Sequence, residues 1–457
     1  MTPPAVPAAL DPLVGAFLAD PDRVRDALRH FGSPLHLVFP QVFTANLTAL
    51  RDVLDAGRFG YRLCYAHKVN RSATFARTAA TAGISIDVAS ARELRSALDS
   101  GFTADRIEVT GPKGLALLRT AAEAGVTVNV DNLWELAELA ELAPELPVLL
   151  RVSGFAGSAP SRFGIDLADI DAALDLLVRS RQRLLGVAFH LDTAATGERV
   201  RAAGDCLSII ERAYARGLEP TVLNIGGGLR QVFTTDAAGY DAYDDALRAG
   251  LLGRGPAMHW GSSTFGYHVA EGMVHGGPVF HKYANTRSAP SILAELLAEP
   301  LPGHGGRALG AVLADNLLDL WLEPGKALVD HAGITVARVE FVKRAGNGAT
   351  LVHLDLSRDT VTAADQEVLI DPIVLTDAES SPTGVFFAGH LCLERDLVTQ
   401  RQVRVEALPV PGDPVVFANT AAYHMDLSAT RAAMHPDVAK VAVLQRDNEF
   451  SLFPEDR

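Results

Sequence analysis

Eight short apolar runs alternate with amphipathic stretches from about residue 60 to residue 325, and this alternation restricts the fold more than any other feature. The runs lie at residues 63–66, 84–88, 107–110, 126–130, 147–152, 185–190, 221–225 and 318–322. Intervening stretches, such as residues 89–99 and 199–216, carry the apolar spacing of helices that pack on a sheet. The alternation predicts an α/β chain with a TIM-like (β/α)8 barrel. A doubly wound open sheet is the alternative, because strand count alone does not close a barrel.

The period of the pattern changes after Glu323-Pro324-Gly325. The later runs are short, rich in β-branched residues and punctuated by Gly and Pro, at residues 334–342, 351–356, 385–387, 403–405, 415–417 and 441–444. They predict a second, mostly antiparallel β domain, to which the early run at residues 34–39 is expected to add a strand. We therefore expect a barrel over residues 45–325 and a β domain formed by residues 1–44 and 326–457.

Composition excludes several classes of partner. The net charge of −14 argues against nucleic acid and against anionic membrane surfaces. No apolar stretch is long enough to cross a bilayer, and the N-terminus lacks the pattern of a signal peptide. Three widely separated cysteines form neither a disulfide framework nor a zinc pair, which favours a reducing, cytoplasmic compartment. No metal site is expected, since five histidines of the segment 229–321 lack metal-ligand spacing: His259, His268, His275, His281 and His304.

Residues suited to catalysis or to ligand binding fall at the carboxyl ends of the predicted strands, where barrel enzymes have their active sites. They are Lys68, Asp87, Arg151, His190, Gly226, Gly227, Gly228 and Glu323. A lysine at the end of a buried strand is partly desolvated, and its neutral amine is then a nucleophile toward carbonyl groups. Each of these residues has a purely structural explanation by itself. Their occurrence together favours an active site.

The three consecutive glycines expose backbone N–H groups that suit an anion, and they lack the spacing of a dinucleotide or Walker loop. A small phosphomonoester is therefore expected. Pyridoxal 5′-phosphate (PLP) matches this combination of residues. The combination consists of a lysine nucleophile, the glycine N–H groups as an anion nest for a phosphate, a flat imidazole and a buried carboxylate. Lys68 is expected to form a Schiff base with PLP. His190 is expected to stack on the ring, and Glu323 to hold the pyridine nitrogen protonated.

An ordered set of motifs spans most of the chain. The segments are YAHKVN at 65–70, SIDVASAREL at 85–94, SRFGI at 161–165, FHLDT at 189–193, NIGGGL at 224–229, EPGKALV at 323–329, AGHLCLERD at 388–396 and NTAAYHMDLS at 419–428. With these motifs the chain resembles the fold-type III PLP-dependent decarboxylases, the group of diaminopimelate, ornithine and arginine decarboxylases, which share the fold of alanine racemase. The resemblance implies a homodimer whose active sites lie at the subunit interface.

The resemblance also assigns roles to residues outside the barrel. It implies that Cys392 reaches the active site of the other protomer and that Tyr423 contacts the cofactor phosphate. The expected cofactor-binding set consists of the strand-end residues named above, including Asp87 and Arg151, together with Tyr423 and three further positions: Thr193, Gly325 and Lys326. Cys392 is the expected proton donor to Cα after decarboxylation.

Four departures separate the chain from the family pattern. Lys326 stands where the family has Arg, and a lysine cannot form the bidentate hydrogen bonds of an arginine. Asp192 brings a negative charge near the expected phosphate, which is unfavourable unless its side chain points away. Thr193 retains a hydroxyl. Leu393 replaces the acid that helps the family bind a distal ammonium, and the segment 229–321 is long enough to line a larger pocket. We therefore expect a small amino-acid-type substrate that is an unusual amino acid or an amino-acid conjugate.

The expected reaction is decarboxylation, with Glu323 paired to the ring nitrogen. One alternative is a racemase or epimerase that uses the same cofactor, although family members of that type place an Arg near this nitrogen. The other alternative is a catalytically silent, PLP-binding regulatory homologue. The presence of Lys68, Glu323 and Cys392 favours an active decarboxylase.

Overall fold

The computed structural model describes residues 2–180, 182–193, 195–279, 286–362, 369–428 and 432–455. The chain forms two compact units. The barrel unit consists of Thr44–Arg230 and Ala289–Leu328, and the β unit consists of Met1–Phe43, Gln231–Ser288 and Val329–Arg457.

The secondary structure follows the alternation seen in the sequence. In chain order the strands are β1 (Leu35–Val38), β2 (Tyr61–Ala66), β3 (Ser85–Val88), β4 (Ile107–Val109), β5 (Thr127–Val130), β6 (Val148–Ser153), β7 (Ile165–Asp166), β8 (Leu184–Ala188), β9 (Val222–Asn224), β10 (Tyr267–Ala270), β11 (Met273–Gly276), β12 (Asp319–Leu322), β13 (Gly333–Arg344), β14 (Thr350–Leu354), β15 (Ile373–Val374), β16 (Thr383–Ala388), β17 (Val403–Val405), β18 (Pro414–Phe417), β19 (Ala439–Arg446) and β20 (Glu449–Pro454). The helices are α1 (Pro12–Leu18), α2 (Pro21–Phe31), α3 (Pro40–Asp55), α4 (Ala73–Thr81), α5 (Ala91–Asp99), α6 (Leu115–Ala124), α7 (Leu133–Leu142), α8 (Ile170–Ser180), α9 (Thr196–Tyr214), α10 (Ala237–Leu251), α11 (Ala289–Ala298) and α12 (Leu309–Asp315).

Eight parallel strands close into a barrel in the order β2, β3, β4, β5, β6, β8, β9 and β12. The ring closes because β5 pairs with both β4 and β6, and because β12 pairs with both β9 and β2. The predicted (β/α)8 barrel is therefore confirmed, and the doubly wound sheet is excluded. Each predicted run forms a barrel strand with ends within two residues of those expected. Buried parallel strands are apolar on both faces, which makes them continuous apolar runs in sequence.

Polar caps fix the loops at the carboxyl ends of the strands. The Ser72 hydroxyl accepts a hydrogen bond from the Phe75 N–H at 3.2 Å and starts α4, while the Ser72 N–H donates to Asn70 at 2.9 Å. The Ser90 hydroxyl caps α5 in the same way, and the Asn132 side chain caps α7. Each cap satisfies an N–H group that the first helical turn leaves unpaired, so the strand-to-helix loops have defined conformations.

The β unit contains a mostly antiparallel sheet in the order β17, β16, β14, β13, β1, β19 and β20. Strand β1 lies antiparallel to β13 and parallel to β19, as expected for a strand that the N-terminal segment adds to this sheet. Strand β18 extends the sheet by pairing with β13 and β15. Sequence reasoning missed β15, β20 and the β10–β11 hairpin.

One boundary differs from the sequence-based expectation. Gln231–Ser288 was expected inside the barrel over residues 45–325, but it belongs to the β unit. The physical reason is its apolar side chains, since Phe233 and Leu247 lie in one core cluster with Val6 and Ile370. The segment therefore interrupts the barrel between β9 and α11 without contributing a barrel strand.

The histidines of the long segment do not form a metal site in the part of the chain that is described. His268 and His275 stack across the β10–β11 hairpin with ring centroids 5.3 Å apart. His281 lies outside the described residues. Among the described residues, no group of three or more His, Cys, Asp or Glu side chains is arranged to hold a metal ion. No described helix is both long and apolar enough to span a bilayer.

Candidate active site

The residues singled out at strand ends gather at one end of the barrel, because all eight strands are parallel. Lys68 lies in a short 3-10 turn, His67–Val69, directly after β2. Asp87 lies in β3 and Arg151 in β6, and His190 follows β8 by two residues. Glu323 follows β12 directly. This end of the barrel is therefore the candidate active site.

Lys68 and Asp87 are the most informative pair of residues in the candidate active site. The Lys68 Nζ lies 3.8 Å from the Asp87 Oδ2, and 39% of the lysine side chain is exposed against 1% of the aspartate. Neither Asp87 oxygen accepts a hydrogen bond from the described residues. Burial raises the pKa of Asp87 to about 7, with the charge on Lys68 opposing the rise and that on Glu323 adding to it. A buried carboxylate that titrates near neutrality lies beside an accessible amine.

Sequence reasoning overlooked a second strand-end lysine, Lys113, which follows β4. Its side chain and that of Glu135 are both fully buried, with Nζ 2.9 Å from the Glu135 Oε2. The Lys113 Nζ also donates to the Asn129 carbonyl at 2.7 Å and to the Gly111 carbonyl. Burial lowers the pKa of Lys113. Even so, all three of its N–H donors are used inside the protein, so Lys68 is the better candidate nucleophile.

The glycine loop is tightly packed. Gly226 and Gly228 have φ angles of 66° and 81°. A Cβ at Gly226, Gly227 or Gly228 would collide with the backbone oxygen of Phe189, Glu323 or Leu191 respectively. Only glycine permits this approach of backbones.

Two of the three amides in the predicted anion nest are already engaged. The Gly226 N–H donates to the Asn224 Oδ1 at 2.8 Å, and the Gly227 N–H donates to the His190 Nδ1 at 3.1 Å. Among the described residues, the N–H groups of Gly228 and Leu229 have no hydrogen-bond partner. The amides available to an anion are therefore those of Gly228 and Leu229, one residue beyond the position expected.

His190 is held as a neutral imidazole. Its Nδ1 faces an N–H that can only donate, so this ring nitrogen carries no proton. Burial, reinforced by the positive charges of Lys68, Arg151 and Arg199, lowers the pKa of His190 well below its ordinary value. The ring therefore offers a flat, uncharged face.

Arg199, which sequence reasoning missed, braces the glycine loop from α9. Its Nη2 donates to the Gly227 carbonyl at 2.7 Å and also to the Leu191 carbonyl. Burial lowers the pKa of Arg199 to about 10, which leaves it charged at neutral pH. Arg199 shares the buried face of α9 with Ala202, Ala203 and Cys206. A charged residue on an otherwise apolar helix face is the sequence pattern that could have predicted its buried role.

Two departures from the family pattern contact each other. The Lys326 Nζ donates to the Asp192 Oδ1 at 2.8 Å, and the lysine side chain is 8% exposed. The Thr193 Oγ1 accepts from the Ala195 N–H at 3.1 Å, so this hydroxyl serves the start of α9. A Cβ at Gly325 would collide with Val69, which places the turn after β12 against the loop that carries Lys68.

Glu323 is held by a neighbour that sequence reasoning had not assigned. Its buried Oε1 accepts a hydrogen bond from the Asn224 Nδ2 at 2.8 Å, and its backbone N–H donates to the Gly226 carbonyl at 2.9 Å. Asn224 was part of the quoted NIGGGL motif, but its role depends on the spatial proximity of β9 and β12. The guanidinium of Arg151, on β6, lies 4.7 Å from the centroid of the Phe163 ring.

Cys392 and Tyr423 belong to the β unit. Cys392 lies in an exposed turn next to Leu393, which is 50% exposed. Tyr423 is half-buried with a φ of 69°, and its carbonyl accepts from the Leu427 N–H at 2.9 Å. Asp396, an acid near the missing one, is buried and accepts from the N–H groups of Arg358 and Leu391, each at 2.7 Å.

The fold and these strand-end residues define a barrel enzyme with its chemistry at the carboxyl ends of the strands. A model of the pyridoxal-binding domain of pyridoxal-dependent decarboxylases matches residues 43–251. An uncharacterised protein of Sinorhizobium fredii, y4yA, is 32% identical over 92% of this chain and 89% of its own length. Diaminopimelate decarboxylase of Escherichia coli is 23% identical over 87% of this chain and 86% of its own length.

The solved structures agree on the fold. Diaminopimelate decarboxylase from M. jannaschii in complex with L-lysine superposes with a TM-score of 0.70 at 18% identity, over 94% of this chain and 91% of that one. The chain belongs to the fold-type III pyridoxal-dependent decarboxylases, which are carboxy-lyases.

Proposed function

We propose that this protein is a PLP-dependent amino-acid decarboxylase in which Lys68 would hold the cofactor covalently through Nζ, with the aldehyde oxygen of the cofactor released as water. One observation carries the proposal: the accessible Lys68 amine lies 3.8 Å from the buried Asp87 carboxylate, whose oxygens accept no hydrogen bond from the described residues. An amine with an adjacent group that titrates near neutrality suits nucleophilic attack on a carbonyl.

The barrel residues fit this cofactor. The crowded glycine loop leaves the N–H groups of Gly228 and Leu229 for phosphate oxygens, and the buried charge of Arg199 lies behind them. The neutral His190 suits a contact with the ring face. Glu323 supplies the anionic partner that a protonated ring nitrogen requires.

When bound, PLP accepts the electron pair that departing CO2 leaves at Cα. The chain's own residues hold and move protons around that event. Glu323 stabilises a proton at the ring nitrogen by its negative charge, and Asp87 can take a proton from the Lys68 amine or return it. The thiol of Cys392 is the proposed proton donor to Cα.

The position of Cys392 in the β unit motivates a further part of the proposal. We infer a homodimer in which this cysteine serves the active site of the other protomer. The reducing, cytoplasmic compartment expected from cysteine usage stays a prediction. A carboxylate at position 323, rather than an Arg, favours decarboxylation over racemisation.

For the substrate we infer an amino acid or amino-acid conjugate without a simple distal ammonium. Leu393 offers no charge, and both oxygens of Asp396 are used to hold backbone N–H groups, so Asp396 is unsuited to replace the missing acid. A buried ammonium without an anionic partner would cost several kcal/mol.

The direct test combines cofactor attachment with turnover. The purified protein, incubated with PLP, is expected to gain a visible absorbance band that borohydride bleaches, and to release CO2 from at least one member of an amino-acid panel. Failure to gain the band would refute cofactor binding. Epimerisation of the substrate without CO2 release would instead favour the racemase alternative.

A further inference from the structure

A third acid lies inside the barrel beside the two already described. Glu108 is on β4 and is buried. Its Oε1 accepts a hydrogen bond from the Asn129 Nδ2 at 2.9 Å, and its two oxygens lie 3.3 and 3.4 Å from the Asn224 Nδ2. The motifs that carry the family resemblance do not include this residue.

Asn224 joins Glu108 to Glu323. Its Oδ1 accepts from the Gly226 N–H, which can only donate, so its amide nitrogen necessarily faces the two acids. That one NH2 group lies 2.8 Å from Glu323 and 3.3 Å from Glu108. The two carboxyl groups therefore share a single neutral donor group.

No cation forms an ion pair with Glu108 among the described residues. Its other neighbour is the Cys64 thiol on β2, with Sγ 3.9 Å from the Glu108 Oε2. Two buried carboxylates bridged by one amide repel each other strongly in a medium of low dielectric constant, and they are stable only when a proton neutralises one of them.

We propose that Glu108 is a positioning residue for Glu323: it remains a neutral acid and, through the shared amide of Asn224, leaves the negative charge of the pair on Glu323. The inference rests on the proposed role of Glu323 toward the ring nitrogen. It adds a reason why that charge lies on the acid at the strand end rather than on the acid deeper in the barrel.

The surrounding charges agree with this arrangement. Burial raises the pKa of Glu108 well above its ordinary value, and the charges of Glu323 and Asp87 add to the rise. The hydrogen bond from Asn129 and the charge of Arg62 oppose it and are smaller. Burial also raises the pKa of Cys64 well above its ordinary value, so this neighbour stays a neutral thiol.

Infrared spectroscopy of the full-length protein tests the protonation state directly. The protein is expected to show the C=O band of a protonated carboxyl group at pH 8, and Glu108→Gln is expected to remove it. Asp87→Asn is the matched control, since it removes another buried acid whose pKa is about 7 and is expected to leave the pH 8 band in place. A band that is absent at pH 8, or that survives in Glu108→Gln, would overturn the proposal.

The positioning role is tested on the PLP-loaded protein by the pH dependence of its visible absorbance. Glu108→Gln keeps a neutral polar side chain and is expected to retain the titration midpoint. Glu108→Ala frees the Asn224 amide and is expected to move the midpoint by about half a pH unit or more. Equal shifts in both variants would mean that Glu108 itself carries charge, and no shift in either would mean a purely structural role.

The two measurements separate the possible failures. The infrared experiment needs neither PLP nor the alanine variant, so it decides the protonation state even if Glu108→Ala does not fold. Absence of the visible band in the wild-type protein would refute the proposed function and would leave the infrared result standing.

Discussion

The Lys326 Nζ donates a hydrogen bond to the Asp192 Oδ1 at 2.8 Å, which joins two departures from the family pattern into one ion pair. The lysine is nearly buried and the aspartate is half exposed. The negative charge that looked unfavourable near a phosphate is therefore partly neutralised by the residue that replaces the arginine.

Removal of the aspartate charge should strengthen cofactor binding. In Asp192→Asn, Lys326 keeps its positive charge without the anion opposite, so its attraction for a phosphate rises. Because the aspartate is half exposed, an effective dielectric constant of about 40–80 applies, and one charge about 6 Å away then changes affinity by about 3–10-fold. Titration of the apoprotein with PLP gives the dissociation constant.

Asp99→Asn is the matched control for this change, since it removes an exposed aspartate from the last residue of α5. It should leave PLP affinity unchanged. Weaker binding of PLP by Asp192→Asn would mean that the ion pair, rather than the charge of Lys326, is what the phosphate site requires.

The two strand-end lysines should behave differently under borohydride reduction. We expect the pyridoxyl group on Lys68, and we expect Lys68→Ala to lose the adduct and at least about 10³-fold in turnover, as the nucleophile is lost. Peptide mass spectrometry of the reduced protein identifies the modified residue. An adduct on Lys113 in the native protein would refute the assignment.

Lys113 is expected to matter for stability instead. Lys113→Met leaves the fully buried Glu135 without its cation, which should cost about 3–5 kcal/mol of unfolding free energy. The variant should still form the pyridoxyl adduct on Lys68 wherever it remains folded. Denaturant unfolding, compared with wild type, measures the loss.

Asp87 should make stability dependent on pH. Burial raises its pKa in the folded protein from 3.8 to about 7, so the folded state holds the proton more tightly than the unfolded state. Its contribution to stability is then fully present below about pH 4 and is lost as the pH rises toward 7. Asp87→Asn cannot titrate, so its unfolding free energy should fall less steeply across this window.

Denaturant unfolding of the apoprotein at several pH values between 4 and 8 measures both slopes. Identical slopes for Asp87→Asn and wild type would mean that Asp87 ionises in the folded protein as it does in the unfolded chain.

Sequence reasoning predicted the barrel because parallel strands are buried on both faces and are therefore apolar along their whole length. Each strand is visible in the sequence as one continuous apolar run. It assigned Gln231–Ser288 to the wrong unit because the partners of Phe233, such as Val6 and Ile370, are distant in sequence. The roles of Glu108 and Asn224 were not predicted for the same reason. Their roles depend on hydrogen bonds across the barrel interior, between strands that are separated by many residues.

Shared active sites can be tested by complementation. Lys68→Ala and Cys392→Ala protomers should each be nearly inactive, because one lacks the cofactor amine and the other the proposed proton donor. Mixed under conditions of subunit exchange, they should recover up to about a quarter of wild-type activity, since half of the dimers are mixed and each has one intact site. Native mass spectrometry confirms the exchange. No recovery despite exchange would place both residues in the site of a single protomer.

The substrate should lack a distal ammonium of the kind that diamino acids carry. Leu393 cannot pair with a cation, and Asp396 is held by the N–H groups of Arg358 and Leu391. Lysine, ornithine, arginine and diaminopimelate should therefore be poor substrates of the wild type. Leu393→Asp should raise kcat/KM for at least one of them by about 10-fold or more, because the new carboxylate can pair with the distal cation of the substrate. Leu393→Asn is the matched control, with similar size and no charge. Steady-state CO2 release measures all three proteins. Efficient turnover of any of the four by the wild type, with kcat/KM above about 10⁴ M⁻¹s⁻¹, would show that another group binds the ammonium.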